Sequence, residues 1–216
     1  YNLAVCYLQV GRPADAARLA ERYVTQRPAD PRGAVLQGDA ALQSGDGRAA
    51  LRHYEDAERL GRGQGGLRVS LAARLARAHL ALRSPARAVA LAEARLTYIA
   101  GASAASPLEE GELLAVLMEA QLRGGAARGL PTSEVATRLS QLAQGAGARD
   151  AAALALAGSG ALLSGNLERA RKLYSDALAL DPRQRRARVG LAQTLNRLAL
   201  DGDVRGARAQ AAIALL

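Results

Sequence analysis

The residues that could carry chemistry are few. There are two histidines, His53 and His79, and one cysteine, Cys6. Neither histidine has a Cys, Asp or Glu at the i±4 spacing of a helical zinc pair, so each is read as a surface or satisfied core imidazole. Cys6 falls on the apolar stripe of the first helical pattern with no histidine near it in sequence, and is read as a small core residue rather than a nucleophile. One cysteine also excludes an internal disulfide. The stretch GRGQGG (61–66) has the glycines of a phosphate loop but lacks the preceding strand and the Lys-Ser/Thr ending, and reads as a linker between helices. Glu109 and Glu110 fall in a first helical turn, where acidic groups complement the macrodipole. No catalytic constellation emerges, and the expectation is a protein that is not an enzyme, with no cofactor and no metal.

The elements around these residues are helical. Half of the 216 residues are apolar, yet aromatics make up only 3%, with no Phe and no Trp, so the core must be built from Ala, Leu and Val. Alanine and leucine are strong helix formers. The formal charge is +9 and Lys172 is the only lysine; this arginine usage suits a GC-rich bacterial genome, and the excess is read as general surface charge. No apolar run approaches the ~18–20 residues that span a bilayer. The chain opens with YNLAVCYL and closes with AQAAIALL, both inside helical patterns, so we expect an excerpt of a longer protein in the bacterial cytoplasm or periplasm.

The decisive feature is a phrase stated twice. ALQSGDGRAALRHYEDA (41–57) returns as ALLSGNLERARKLYSDA (161–177). With Gly45 as marker, the pattern recurs at Gly11, Arg83, Gly124, Gly165 and Gly202, with a small residue seven before and five after at most markers. A left-handed residue at the marker would end one helix, and the small flanking residues would let the two helices of a hairpin touch. Asn166 reads as an N-cap, Ser84-Pro85 as a cap and first-turn proline, and Ser106 with Glu109 as a capping box. Pro28 and Pro182 should stop the second helices.

These residues resemble the tetratricopeptide repeat (TPR) family, whose pattern is W-x2-L-G-x2-Y…A-x3-F…P. The matching positions are Leu3, Ala4, Tyr7, Ala16 and Pro28; Gly38, Ala50 and Tyr54; Leu154, Gly158, Ala170, Tyr174 and Pro182; and Leu191, Ala192, Leu195, Ala207 and Ala211. The resemblance implies an all-α, right-handed superhelical solenoid of six repeats: 1–30, 31–66, 67–106, 107–149, 150–184 and 185–216. The fourth departs most, with the long joints GASAASP (101–107) and GGAARGLP (124–131), and is expected to be a hairpin with looser connections.

The resemblance further implies a concave groove, lined by the first helix of each repeat, that binds a peptide or partner protein. The groove positions map to Val5, Val35, Asp39, Gln43, Arg74, Arg77, Met118, Gln121, Ser159, Gln193, Asn196 and Arg197. The Lys, Asn and Arg clamp that some members use for a terminal carboxylate is missing, since Tyr1, Val5, Val35 and Leu36 stand there. A mix of arginine, amides and apolar groups suits an acidic or amphipathic segment. The basic run DPRQRRARVG (181–190) reads as a solvated helix start. Nucleic acid is disfavoured as a partner because stacking aromatics are scarce. The expected role is a scaffold or adaptor, for instance in bacterial secretion, pilus or envelope assembly. The alternative is a regulatory or docking domain of a larger signalling enzyme. The final hairpin, RGARAQAAIALL, lacks a polar cap and could self-associate.

Overall fold

The computed structural model describes residues 1–62, 65–101, 106–126 and 129–201, with the side chains of 65–70, 101, 146 and 201 outside that description. Every regular element among them is helical. The chain divides into two compact units, one of residues 1–105 with 123–129, the other of 106–122 with 130–216.

The first unit holds α1 (Asn2–Gln9), α2 (Pro13–Gln26), α3 (Pro31–Gln43), α4 (Gly47–Leu60), α5 (Gly65–Ala81) and α6 (Pro85–Gly101). Consecutive helices pair as hairpins α1–α2, α3–α4 and α5–α6, and the first helices α1, α3 and α5 pack in sequence. The second unit holds α7 (Pro107–Leu122), α8 (Thr132–Gln141), a short 3-10 turn (Gly145–Arg149), α9 (Ala151–Leu163), α10 (Leu167–Leu180) and α11 (Arg185–Asp201). There α7–α8 and α9–α10 pair, and α7, α9 and α11 lie side by side.

The marker residues do what their spacing predicts. Gly11, Gly45, Arg83, Gly124 and Gly165 have φ of 76°, 84°, 54°, 95° and 79°. At four of them the next N–H reaches back across the turn in the same way: Arg12 to the Tyr7 carbonyl, Asp46 to Ala41, Ser84 to His79 and Asn166 to Ala161, at 2.8–2.9 Å. This six-to-one bond, with the marker's own N–H bonding three residues back, is a Schellman termination, and it satisfies carbonyls the helix would leave unpaired. Gly202 and the rest of the final segment lie outside the described residues, as do 63–64, 102–105 and 127–128 within three of the proposed joints.

Side-chain caps then restart the chain. Asp30, Asp46, Asp150 and Asn166 each accept a backbone N–H from the first turn that follows. Ser106 and Glu109 exchange reciprocal bonds of 3.1 and 3.2 Å, the expected capping box. Ser84 differs: its hydroxyl donates to the Leu82 carbonyl at 3.4 Å, so Pro85 starts α6 without a side-chain acceptor ahead of it. Helices α2 and α10 stop two residues before Pro28 and Pro182.

The small residues seven before and five after the markers are the contact points. Ala4 and Ala16, Ala76 and Ala88, Ala50 and Ala170 are all essentially inaccessible. Gly38 and Gly158 are buried under the rings of Tyr54 and Tyr174, and a Cβ on either glycine would overlap the ring. Two markers break this rule: fully buried Leu117 stands seven residues before Gly124, and Leu195 seven before Gly202. The two tyrosine cores match position for position at an offset of 120 residues. Ala50, Tyr54, Ala57 and Leu71 in one unit correspond to Ala170, Tyr174, Ala177 and Leu191 in the other.

Cys6 is a correction. Helix α1 buries Ala4 and Leu8, four residues apart on one face, and Cys6 lies between them on the opposite side, exposed.

Candidate functional site

The first helices carry polar side chains that bond to one another in a common register. Gln43 Nε2 donates to the Leu8 carbonyl at 3.1 Å, Arg74 Nε to Asp39 Oδ1 at 2.9 Å, and Arg197 Nη1 to the Leu162 carbonyl at 3.2 Å. Each bond joins residues 35 apart on neighbouring first helices. Leu8 and Leu162 are each three residues before a marker glycine, so the carbonyl that already accepts the marker's own N–H takes a second bond from the next hairpin.

In the first unit, Asp39 is the hub. It accepts from the Tyr54 hydroxyl at 2.7 Å as well as from Arg74. Burial, with the Asp39 carboxylate beside it, pushes the Tyr54 hydroxyl well above the ordinary tyrosine range. The phenol therefore acts only as a donor, and the Asp39–Arg74 pair is fixed by the core beneath it. Val5 is half-buried on α1 and Arg77 half-buried on α5. Val35 is a core residue, packed with Tyr54 and Leu71. It does not line a face.

In the second unit the inner helix α9 is nearly engulfed. Ser159, its polar member, donates to the Ala155 carbonyl at 3.0 Å and accepts from the Tyr174 hydroxyl at 3.2 Å. Met118 is fully buried on α7, a second correction to the expected lining. Gln121 bonds inward too, donating to the Leu130 carbonyl at 2.6 Å and accepting from Thr132 Oγ1 at 2.8 Å. It braces the joint between α7 and α8. Gln193 and Asn196 project from α11 into solvent, in one exposed stripe with Val189 and Leu200.

One pair on this face was not expected. Arg186, at the start of α11, makes a bidentate pair with Glu112 of α7 at 2.6 and 2.7 Å, reaching past the intervening α9. Burial opposes the Arg186 charge, but the Glu112 carboxylate more than offsets it and holds the guanidinium protonated. Arg186 stood in the basic run as one of several arginines, and no local spacing signals a partner 74 residues away. Arg183 of the same run is exposed.

Hairpins, glycine-ended first helices, paired alanines and a 35-residue register now stand together. The fold is TPR-like. Among solved structures, the chain resembles BtubC from P. vanneervenii, with 17% identity over 95% of this chain and 87% of that one and a TM-score of 0.54. It also resembles the C-terminal part of a TPR repeat-containing protein from Cytophaga hutchinsonii (8% identity, 99% and 76% covered, TM-score 0.47). A third is the TPR2AB domain of yeast Sti1 in a complex with pHSP90 (13%, 98% and 86%, 0.39). Only the first of these superposes above a TM-score of 0.5, and at its identity it speaks to the fold alone. No family model and no curated protein sequence matches the chain.

Among the described residues, no three His, Cys, Asp or Glu side chains gather as metal ligands. No described helix is long and apolar enough to cross a membrane.

Proposed function

We propose that the chain is a non-catalytic interaction scaffold that holds a peptide segment of a partner protein against the first-helix face of a hairpin stack. The observation that supports this is the 35-residue register, which ties neighbouring first helices of each unit together through side-chain bonds into a polar surface. Such a surface is rigid before binding, so little ordering entropy is lost when an extended segment settles on it. The half-buried arginine and acid groups are paired with each other, so the partner is read chiefly by amides and apolar patches, with an amphipathic segment favoured over a plainly acidic one. A role in bacterial secretion, pilus or envelope assembly is the process we favour, on fold-level analogy alone.

The test is to pan a random peptide library against the chain and measure the selected peptides on the variant carrying Gln193→Glu and Asn196→Glu. Both side chains are exposed, so the variant should stay folded by circular dichroism. Binding should weaken by tenfold or more. Selected peptides that bind both proteins equally would refute this face as the site.

A further inference from the structure

On the second-helix side of the first unit, a cavity of about 280 Å³ opens between α4 and α6 over a floor from α5, lined by Glu58, Ala72, Leu75, Leu91, Arg95 and Tyr98. The floor is apolar: Leu75 belongs to the tyrosine core, and Leu91 packs against it. The wall is charged. Arg95 lays its guanidinium over the Tyr98 ring, 4.7 Å from the centroid, while Tyr98 stays 60% exposed.

Two donor atoms of that guanidinium, Nε and Nη2, are buried and have no hydrogen-bond partner in the protein. They are the two atoms of the side-on edge of arginine, whose parallel N–H groups match the two oxygens of a carboxylate. Tyr98 lies against the guanidinium and accepts nothing from this edge, so the arginine is held without being neutralised. Glu58 stands at the same cavity and accepts from neither nitrogen. A charged donor pair held out of water and unmatched is costly, and here an apolar floor lies directly beside it.

We propose that this cavity receives the carboxylate side chain of a partner polypeptide, an aspartate or glutamate next to an apolar residue. The Arg95 side chain turns to bring its Nε/Nη2 edge, covered in the free protein, onto the carboxylate, and the apolar neighbour packs on Leu75, Leu91 and the open side of Tyr98. The volume suits one or two side chains, below the usual size of a drug-like pocket (~300–1,000 Å³). This site is separate from the first-helix face and does not depend on it. Glu58, a like charge at the rim, lowers the affinity and so sets how acidic the partner must be.

The test follows the arginine Nε–Hε resonances of the full chain by nitrogen-15 NMR, with Arg95→Lys identifying the Arg95 signal. Titration with acetyl-Leu-Glu-Leu-amide should move that signal saturably, and acetyl-Leu-Gln-Leu-amide should not. Glu58→Gln should tighten the response to the glutamate peptide several-fold. The proposal is overturned if the signal does not move, or if it moves equally for the glutamine peptide or for inorganic phosphate. It is also overturned if Glu58→Gln alone shifts the signal as far as the peptide does, which makes Glu58 the occupant. A shift on simple dilution of the protein overturns it too, by making a second copy the occupant.

Discussion

Gly158→Ala tests the close crossing of α9 and α10 directly. A Cβ at this position would lie 2.8 Å from both Cδ1 and Cε1 of Tyr174 and 3.1 Å from Cζ, against the ~3.5–4.0 Å of ordinary carbon contact. The ring has nowhere to retreat. On its far side Gly190 of α11 already touches it, and a Cβ there would lie 2.6 Å from the phenolic oxygen. Its hydroxyl is also tied to Ser159. Overpacking of this kind costs about 1–3 kcal/mol, while alanine gains about 1 kcal/mol over glycine in a helix interior. The single variant therefore mixes two opposed effects, and a double-mutant cycle separates them. With Tyr174→Leu as background the ring atoms are gone, and Gly158→Ala should stabilise by about its propensity gain of ~1 kcal/mol. With Tyr174 present the same change should be neutral or destabilising, giving a coupling of about 1–3 kcal/mol. The assay is urea unfolding followed by far-ultraviolet circular dichroism. A coupling below ~0.5 kcal/mol, the level at which independent sites add, would mean that the glycine is not there to admit the ring.

The markers give a matched pair: Gly45→Ala meets no atom within 4 Å, so its cost is backbone alone, and it should destabilise by about 1 kcal/mol in the same assay, whereas Arg83→Gly should stabilise by a few tenths to ~1 kcal/mol. At the hub, Tyr54→Phe removes a bond to the Asp39 carboxylate and should cost about 1.5–3 kcal/mol. Arg74→Glu should also destabilise, because it sets a second carboxylate beside Asp39, and a melting temperature equal to wild type would show that the pair is not formed. Burial, reinforced by the nearby Arg87, lowers the His79 pKa below its usual 6.5. The folded chain then binds fewer protons than the unfolded one, so stability should fall as pH drops below about 6.5 toward the folded pKa. His79→Gln should flatten that slope.

Much of the fold was legible because it rests on residues whose conformational needs are local. A left-handed turn advertises itself by glycine, and the recurrence of Gly11, Gly45, Gly124 and Gly165 made Arg83 readable as the same turn despite its side chain. Alanine pairs advertised the hairpin crossings in the same way. The candidate face was less legible. The family positions fall on the first helices, and Asp39, Gln43, Arg74 and Arg197 make bonds between neighbouring ones. Whether a side chain on such a helix points outward or inward depends on which stripes its neighbours cover: Val35 and Met118 fall on buried stripes, and Cys6 falls opposite the buried Ala4 and Leu8. A pair that reaches past an intervening hairpin, as Arg186 with Glu112, does not follow the register of neighbouring first helices. The unmatched edge of Arg95 is invisible there for a simpler reason, since an absent partner leaves no letter.

The duplicated interior makes the molecule its own control. The same ring, against the same alanines, sits above a charged acceptor at Asp39 in one unit and a neutral one at Ser159 in the other. Exchanging those two letters would transplant one environment into the other with every remaining neighbour held constant, so the effect of a single anion on a buried phenol can be weighed within one polypeptide.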